Sequence, residues 1–383
     1  MRIGIDSTYL DVSYKTGIYY YLKNLLLSLS QVDKSNDYFL FYNSFVRSSK
    51  SFFSPGNNFK KKIIRIPNII ERVFGRELFF NLYQRSLLNS IRRNEIDVFH
   101  FPHLKTPYLS DKYSIVTIND IAFLALDEYR NLTEANFLNK QLHFCKNSAN
   151  KIIAISNFTK QEIIKHTSIS ENKIEVVCYG RDHLFQHIGI ANSERVKISL
   201  SLPKKYILYV GSIEPRKNIE TLIETFYILK KKYNLEHKLV IVGSKGVKGE
   251  QVLKKVSSRL RDLNDEVVFK GIVDNSNLVF FYNLADVFVT CSYYEGFGLP
   301  LLEALGCGCP VVCSDIPVFR EVAGDGALFS LPFDYDSFAT NIYNILNDKE
   351  LRKDVAKKAF LQKDNFSWHK AAVKMKEIYE TRS

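Results

Sequence analysis

The segment from Ser292 to Asp315 combines two carboxylates with a glycine-rich turn. Its sequence, SYYEGFGLPLLEALGCGCPVVCSD, predicts a strand that ends at Ser292, a turn with Gly296 and Gly298, and a helix that begins near Leu299. The first N–H groups of a helix lie at the positive end of its dipole and form an anion site. Because glycine has no Cβ, a ligand can approach the backbone closely. We therefore expect a phosphate at this turn.

Glu295 and Glu303 lie eight residues apart around the start of this helix. At a rise of about 1.5 Å per residue, they are separated along the axis by at most about 12 Å, roughly the length of a sugar diphosphate nucleoside. Each could accept hydrogen bonds from hydroxyls at one end of such a ligand, Glu295 from a sugar and Glu303 from a ribose. The alternative is that Glu295 is a helix N-terminal charge, Glu303 is a surface residue and the glycines form a tight turn.

Two adjacent cations follow another predicted strand. In YILYVGSIEPRKNIETLIETF, residues 206–226, the strand leads into a loop with Arg216 and Lys217, and Asn218 is the predicted N-cap of an amphipathic helix. Open α/β sheets bind ligands at the carboxyl ends of their strands. Arginine binds two phosphate oxygens with its planar fork, and lysine adds a point charge. This pattern favours a phosphate contact, and a solvated charge pair is the alternative.

The elements that position these loops repeat a short β-branched run, a turn and a helical segment, which is typical of parallel-sheet α/β domains. The pattern occurs twice in 383 residues, a length that suits two domains. We predict an N-terminal domain over residues 1–190, a C-terminal domain over 200–365 and a final helix over 366–383. The predicted strands cover 2–7, 38–42, 63–66, 98–101, 115–118, 152–155 and 174–178 in the first domain, and 206–210, 238–242, 267–270, 287–290 and 310–313 in the second. The main predicted helices cover 18–29, 71–92, 219–232, 278–284 and 299–305.

Both loops resemble those of the retaining glycosyltransferases of family 4. The resemblance covers most of the chain and is carried by Gly211-Ser212, Pro215-Arg216-Lys217-Asn218, the Glu295-x7-Glu303 motif with Gly296-Phe297-Gly298-Leu299-Pro300, Gly308-x-Pro310-Val311-Val312, Ala154-Ile155-Ser156 and Phe269-x-Gly271. It implies the GT-B fold, an α/β architecture with two Rossmann-like parallel-sheet domains that face a cleft and a C-terminal helix that packs back. It also implies transfer of a sugar from a GDP- or UDP-linked donor to a hydroxyl of a glycan or polyprenyl-linked acceptor, in bacterial surface polysaccharide biosynthesis.

The resemblance further implies roles for individual residues. Arg216 and Lys217 would neutralise the donor diphosphate and the charge of the leaving group, which is electrostatic catalysis. Glu295 would hold the sugar, Glu303 the ribose, and Gly17 would cover the diphosphate from the first domain. The donor's own phosphate oxygen would take the acceptor proton, and no metal or other cofactor would be required. The implied donor-binding set is Gly17, Gly211, Ser212, Arg216, Lys217, Glu295, Gly296, Phe297, Gly298, Leu299 and Glu303, and the catalytic set is Glu295, Arg216, Lys217 and Asp120.

On the acceptor side the chain departs from the family pattern. Relatives often have His followed by Asp in the segment that reads IVTINDIAFL here, whereas this chain has Asn119-Asp120. An amide cannot take a proton. Asp120, or His100 or His103 in VFHFPHLKTP, would therefore have to supply the acceptor contact. Ordinary loop packing is the alternative for the two histidines.

The net charge of +12 indicates an anionic partner. Residues 60–93 contain nine Lys or Arg against two Glu, interleaved with apolar side chains, and this pattern predicts a basic amphipathic face. One hypothesis is that this face rests on an anionic membrane surface, where the protein takes a lipid-linked acceptor. A solvated helix face is the alternative.

Other functions fit the sequence less well. A GT-B sugar-nucleotide epimerase would share the two domains, but the Glu-x7-Glu spacing speaks against it. A nucleic-acid-binding protein would share the basic stripe, but no recognised nucleic-acid motif supports it. Asp334-Tyr335-Asp336 is predicted to be a loop and helix cap, and Cys307, Cys309 and Cys313 to be small buried residues, because no partner completes a metal-site spacing.

The N-terminus lacks the apolar region of a signal peptide, and no apolar stretch is long enough to span a membrane. We therefore expect a cytoplasmic protein, which the membrane hypothesis would place at the inner face of the cell membrane.

Overall fold

The structure is a computed structural model of the 383-residue chain. It describes residues 1–11, 17–43, 53–67, 69, 73, 76–104, 112–130, 133–189 and 193–381. The chain divides into two compact units. Unit 1 comprises Met1–Gly180 and Ser367–Ser383, and unit 2 comprises Arg181–Phe366. The division between Gly180 and Arg181 lies at the start of the polar segment 180–205, and the predicted domain ranges left residues 191–199 of that segment unassigned.

Unit 1 contains a seven-stranded sheet in which all the paired strands are parallel. The strands are β1 (Arg2–Asp6), β2 (Asp37–Asn43), β3 (Phe59–Ile64), β4 (Val98–Phe101), β5 (Tyr113–Ile118), β6 (Lys151–Ala154) and β7 (Ile174–Val176). The helices are α1 (Gly17–Val32), α2 (Arg76–Arg93), α3 (Ala122–Ala125), α4 (Asp127–Arg130), α5 (Thr133–Ser148) and α6 (Asn157–His166). The central strands are buried on both faces, as parallel sheets require.

The strand order of unit 1 reverses next to β1. The order is β3-β2-β1-β4-β5-β6-β7, so β2 and β3 extend to one side of β1, and β4 to β7 extend to the other. Loops that leave β1 and β4 therefore diverge at the carboxyl ends of these two neighbouring strands. In open α/β sheets this crevice is the preferred place for a ligand.

Unit 2 repeats this plan with a six-stranded parallel sheet. The strands are β8 (Tyr206–Val210), β9 (Lys238–Val242), β10 (Val267–Gly271), β11 (Val287–Thr290), β12 (Val311–Ser314) and β13 (Leu328–Ser330). The helices are α7 (Ser193–Ser199), α8 (Ile219–Lys231), α9 (Gly249–Lys255), α10 (Ser257–Leu263), α11 (Asn275–Leu284), α12 (Leu299–Gly306), α13 (Pro317–Ala323), α14 (Tyr335–Asn347) and α15 (Lys349–Gln362). The order β10-β9-β8-β11-β12-β13 reverses between β8 and β11.

The last helix of the chain, α16 (Trp368–Glu380), belongs to unit 1. It buries Trp368, Ala372, Met375 and Tyr379. The Tyr379 hydroxyl lies 2.7 Å from His100 Nδ1, and His100 Nε2 lies 2.8 Å from Thr117 Oγ1. The C-terminal helix is thus tied by hydrogen bonds to β4 and β5.

The predicted fold class is confirmed, because both units have the parallel α/β plan. Strands β4, β8, β9 and β11 have the predicted bounds. Strand β13 was missed because it contains only three residues, Leu328–Ser330. The predicted helix over 71–92 corresponds to α2, and residues 70–72 and 74–75 lie outside the described part of the chain. None of the helices in the described ranges combines the length and the apolar character that crossing a bilayer requires.

His100 should make unit 1 sensitive to acid. Burial lowers the pKa of this ring to about 3, whereas an unfolded chain takes up the proton near pH 6.5. The unfolded state therefore binds more protons between these values, and the free energy of unfolding falls as the pH drops from about 6.5 towards about 3. The variant His100→Asn should show a shallower fall. The free energy of unfolding can be measured by urea unfolding at each pH. The fluorescence of Trp368, the single tryptophan and a residue of unit 1, reports the transition.

The control is His369→Asn, which changes an exposed histidine of α16 and should keep the wild-type slope. If the free energy of unfolding fell equally steeply with pH in His100→Asn and in the wild type, the low pKa of His100 would be contradicted.

Candidate functional site

The predicted cations and one predicted carboxylate meet at the strand reversal of unit 2. Arg216 and Lys217 lie in a turn of 3-10 helix, Pro215–Lys217, that follows β8, and Glu295 follows β11. Arg216 Nη1 donates to Glu295 Oε2 at 2.7 Å, and Lys217 Nζ donates to Glu295 Oε1. The sequence segments lie almost 80 residues apart, and the adjacency of β8 and β11 brings them together.

A second carboxylate completes this charge cluster. Arg216 Nη2 lies 2.9 Å from Glu214 Oε1, which also accepts a hydrogen bond of 2.9 Å from Ser212 Oγ. Ser292 Oγ donates to Glu295 Oε1 at 3.0 Å. Glu214 was missed by the sequence analysis, although it lies two residues before Arg216 in the same loop. The cluster therefore combines two carboxylates with two cations.

Glu295 is held ionised in a buried place. Burial by itself would raise the pKa of this carboxyl, but Lys217 and Arg216 and the hydrogen bonds lower it to about 2. Breaking a buried ion pair by removing one partner typically costs about 3–5 kcal/mol, because a charge is left uncompensated. A carboxylate has about four acceptor positions. Arg216, Lys217 and Ser292 occupy three of them, so Glu295 can accept one further hydrogen bond, from a ligand hydroxyl, while it remains bound to the cations.

The backbone of the Gly296–Leu299 turn presents the start of α12. Gly298 is the N-cap residue with a φ of 102°, and a Cβ at this position would lie 2.8 Å from the Phe319 ring. A side chain here would thus be strained and would also clash. Phe297 is buried against Phe366, with ring centroids 5.5 Å apart, so this residue offers the site its backbone and not its ring.

The pKa of the second predicted carboxyl group, that of Glu303, is shifted in the opposite direction to the pKa of Glu295. It lies on α12 and accepts a hydrogen bond of 2.9 Å from the Tyr282 hydroxyl of α11. Burial raises the pKa of Glu303 to about 8, the Tyr282 hydrogen bond opposes this shift, and Asp182 adds to it. At neutral pH the carboxyl of Glu303 is therefore mostly protonated, and it can donate as well as accept a hydrogen bond.

The strand reversal of unit 1 also carries a pair of ionisable groups. Asp6 ends β1 and His103 follows β4, and Asp6 Oδ2 lies 3.5 Å from His103 Nε2. Both residues are buried, and the Tyr9 ring contacts His103 edge-on with centroids 4.7 Å apart. Burial opposes ionisation of Asp6, but His103 and the Thr8 hydrogen bonds lower its pKa below the ordinary value. Asp6 is not among the residues predicted from the sequence. The only feature of the sequence that could have indicated it is its place at the end of the first strand.

The other acceptor-side candidates have hydrogen-bond partners of their own. His100 is buried, and both of its ring nitrogens have the partners described above, so it has no nitrogen for an acceptor hydroxyl. Asn119 Oδ1 accepts a hydrogen bond from the Tyr179 hydroxyl, and Asp120 Oδ1 accepts one from Ala122 N at 3.0 Å. Both side chains therefore stabilise the loop after β5. They remain predicted acceptor contacts.

The remaining predicted donor contacts belong to short loops. Gly17 is the first residue of α1, and a Cβ there would meet nothing within 4 Å, while the preceding residues 12–16 lie outside the described part of the chain. Gly211 N donates to Val242 O at 2.9 Å, which joins the loops after β8 and β9. Ser212 was described above as a donor to Glu214.

The predictions of two helix caps and of buried cysteines are confirmed. Asn218 caps α8 through its bond from Thr221 N, and Asp334 caps α14 through a bond of 2.9 Å from Ser337 N. Cys307, Cys309 and Cys313 are buried free thiols. Within the described ranges, no three His, Cys, Asp or Glu side chains form a group that could hold a metal ion.

The basic face over residues 60–93 is described in part. Lys60, Lys61 and Arg65 are exposed on or next to the edge strand β3. On α2, Leu78, Arg85 and Arg92 belong to one exposed stripe, whereas Tyr83, Leu87 and Ile91 are buried. The side chains of Arg72 and Arg76 lie outside the described residues.

Two known families match this chain. The family described as "Glycosyltransferase Family 4" matches residues 45–183, and "Glycosyl transferases group 1" matches residues 191–362. Both matching models describe glycosyltransferases, and each covers less than half of the chain.

One curated relative is "O-antigen chain mannosyltransferase B" of Escherichia coli, which is 28% identical over 307 residues, 79% of each chain. The chain therefore has the GT-B fold and resembles the glycosyltransferases of family 4.

Solved structures share the whole fold at low sequence identity. The sucrose-phosphate synthase of Thermosynechococcus elongatus superposes with a TM-score of 0.78 at 20% identity, over 99% of this chain and 98% of that one. Anabaena HepE, in complex with UDP and glucose, superposes with a TM-score of 0.76 at 14% identity, over 99% of both chains. At these identities the likeness shows the GT-B architecture.

Glu303 should make unit 2 less stable as the pH rises. The folded state retains the Glu303 proton up to about pH 8, whereas the unfolded chain loses it near the ordinary value of 4.5. The free energy of unfolding therefore decreases between these pH values. The isosteric variant Glu303→Gln removes this decrease, so thermal unfolding should show a gain over the wild type that grows from about pH 4.5 to about pH 8. If the melting temperature of Glu303→Gln exceeded that of the wild type by the same amount at every pH, Glu303 would be ionised in the folded state. The control Glu350→Gln changes an exposed glutamate, and its melting temperature relative to the wild type should not change with pH in this way.

Proposed function

We propose that this protein is a retaining hexosyltransferase that moves a sugar from a GDP- or UDP-linked donor to a hydroxyl of a glycan or polyprenyl-linked acceptor, in bacterial surface polysaccharide biosynthesis. The observation that carries the proposal is the Arg216, Lys217 and Glu295 cluster at the strand reversal of unit 2. The mannosyltransferase relative supports the polysaccharide context and a hexose as the transferred sugar.

In this proposal the donor diphosphate binds to Arg216, Lys217 and the backbone N–H groups at Gly298 and Leu299. Cleavage of the sugar–phosphate bond places negative charge on the leaving diphosphate, and fixed cations in a buried site stabilise that charge most in the transition state. Glu295 accepts a hydrogen bond from a sugar hydroxyl, and Glu303 binds the ribose. Two protein cations perform the neutralisation that a metal ion performs elsewhere, so the reaction as proposed requires no metal.

The acceptor side is proposed to use unit 1. The acceptor hydroxyl loses its proton to the donor's phosphate oxygen on the face where the new bond forms, which retains the anomeric configuration. Among the predicted acceptor contacts, His103 has the best support, because Asp6 lies beside it at the strand reversal. Asp120 is the second candidate. Both would orient the acceptor hydroxyl, and Gly17 would lie over the diphosphate.

Removal of a charge from the cluster should abolish transfer. We expect Lys217→Ala and Glu295→Gln to lower turnover by at least about a hundredfold, the loss typical of one transition-state contact, while circular dichroism stays native. The matched control is Lys353→Ala, which removes an exposed lysine paired with Glu350 and should keep the wild-type rate. Wild-type turnover in both site variants would overturn the site.

A thermal-shift screen with UDP, GDP, ADP and CMP tests the donor site before any acceptor is known, because a ligand that binds the native state raises the melting temperature. A selective rise with UDP or GDP, lost in Lys217→Ala, supports the proposal and identifies the nucleotide. No rise in the melting temperature with any of the four nucleotides would contradict the proposal.

Two other outcomes would indicate a different function. Conversion of a donor without acceptor would indicate an epimerase. Steep salt-dependent binding to polyphosphate chains that does not need Glu295 would indicate a nucleic-acid-binding protein.

We further propose that the basic face of unit 1 rests on an anionic membrane surface. Leu78, Arg85 and Arg92 are exposed on α2, and the apolar Ile69 and Val73, which precede α2 in the chain, are also exposed. Apolar contact and attraction to anionic lipids act together in such binding.

Vesicles with phosphatidylserine should sediment the protein at low salt and release it at high salt. The double variant with Arg85→Glu and Arg92→Glu should bind more weakly than a double variant at the exposed pair Lys353 and Lys358. Absence of binding at low salt would eliminate the membrane hypothesis and leave the donor site unaffected.

A further inference from the structure

An unusual group of exposed apolar side chains lies in unit 2, at the end of the last strand. Leu331 and Phe333 in the loop after β13 and Tyr335 at the start of α14 are exposed to solvent, and 60% of the Phe333 surface is accessible. Neighbouring large apolar residues rarely share one short exposed loop unless they bind something. We call Tyr293 and Phe333 the aromatic platform, because their rings stack with centroids 5.4 Å apart and planes inclined by 30°.

The loop that carries the platform is held in one conformation. Asp334 N donates to Leu331 O at 3.1 Å, and the Asp334 carboxylate caps α14. The Tyr335 carbonyl accepts a hydrogen bond of 3.3 Å from Thr225 Oγ1 of α8. Phe333 itself has a φ of 72°, in the left-handed region that costs a side-chain-bearing residue free energy. A glycine would be the ordinary choice at this position, so the strain is tolerated where an aromatic ring is displayed.

The platform is continuous with the donor site. Tyr293 lies two residues before Glu295, and its backbone N–H donates to the Arg216 carbonyl at 3.0 Å. Phe333 follows β13, and β12 lies between β13 and β11, so the end of the strand that leads to Phe333 lies about 10 Å across the sheet from the end of β11. Phe333 therefore comes from a strand two positions away from the one that leads to Glu295.

We propose that the aromatic platform binds a pyranose ring of the acceptor glycan, beyond the sugar that receives the transfer. This inference rests on the proposed function. The C–H face of a pyranose is apolar and slightly positive, and it packs on the negative face of an aromatic ring. Acceptor glycans have several sugar rings, whereas the donor sugar is held at Glu295. The platform therefore gives unit 2 a part in acceptor binding.

Variants at Phe333 test the platform against a matched control. Phe333→Ala removes the ring, Phe333→Gly removes the ring and also the backbone strain, and Phe333→Tyr keeps a stacking face. Phe360→Ala is the control, because Phe360 is an equally exposed phenylalanine, at 59%, on α15 of the same unit. Titrations by saturation-transfer NMR with mannotetraose and maltotetraose, in the presence of the nucleotide that binds, give the dissociation constants.

The proposal expects wild-type protein to bind at least one of the two oligosaccharides. Binding should weaken by about three- to tenfold in Phe333→Ala and Phe333→Gly, the range of an aromatic contact, and remain unchanged in Phe333→Tyr and Phe360→Ala. Phe333→Gly should melt no lower than Phe333→Ala, so weak binding in the glycine variant cannot be attributed to misfolding. All variants should keep the wild-type thermal shift with nucleotide.

Equal oligosaccharide affinity in Phe333→Ala and wild type would overturn the platform, as would wild-type protein that binds nucleotide but neither oligosaccharide. If Phe333→Ala raised only the KM of the donor sugar, the ring would belong to the donor site and the proposal would be overturned. The proposal would also be overturned if Phe333→Ala lowered vesicle sedimentation and left oligosaccharide binding unchanged. Loss of the nucleotide shift in wild-type protein would instead refute the proposed function, so the two failures are distinguishable.

Discussion

The buried ion pairs of Glu295 with Arg216 and Lys217 are the interaction on which the candidate site depends. Desolvation of one carboxylate and two cations is unfavourable, and only their mutual attraction and hydrogen bonds offset it. This constraint fixes the loops after β8 and β11 relative to each other, because Lys217 and Glu295 form an ion pair that neither loop can make alone. The result is a preorganised set of charges, which is the form of electrostatic stabilisation that requires no rearrangement when a ligand reacts.

The same physical argument applies to unit 1 on a smaller scale. Asp6 ends β1 and His103 follows the neighbouring strand β4 at the reversal of strand order, and both side chains are buried, with Asp6 Oδ2 3.5 Å from His103 Nε2. Both units thus place ionisable side chains where the connections of a parallel sheet diverge and leave a crevice. Three of the four strands that border these crevices, β4, β8 and β11, have the same bounds in the sequence prediction and in the structure, because their apolar runs are short and sharply ended.

Local sequence patterns identify some residues of the candidate site and not others. Arg216, Lys217 and Glu295 could be selected from the sequence because turns and helix starts are local features with known chemistry. Glu214, Asp6 and Tyr282 could not, because a carboxylate or a phenol in a loop or helix has no local mark of its partner. The opposite pKa shifts of Glu295 and Glu303 were equally invisible, since both depend on what surrounds a buried carboxyl and not on the neighbouring residues in the chain.

The sequence by itself determined the α/β class, the division into two domains, most strands and the helix caps at Asn218 and Asp334, because these follow from periodicity and from side chains that bond to their own backbone. Only the tertiary structure decided the strand orders, the pairing of charges across distant segments, the burial of His100 against Tyr379 and the display of Phe333 beside Tyr293. The physical reason is that strand adjacency arises from the packing of the whole sheet, and a side chain's partners are known only when that packing is known.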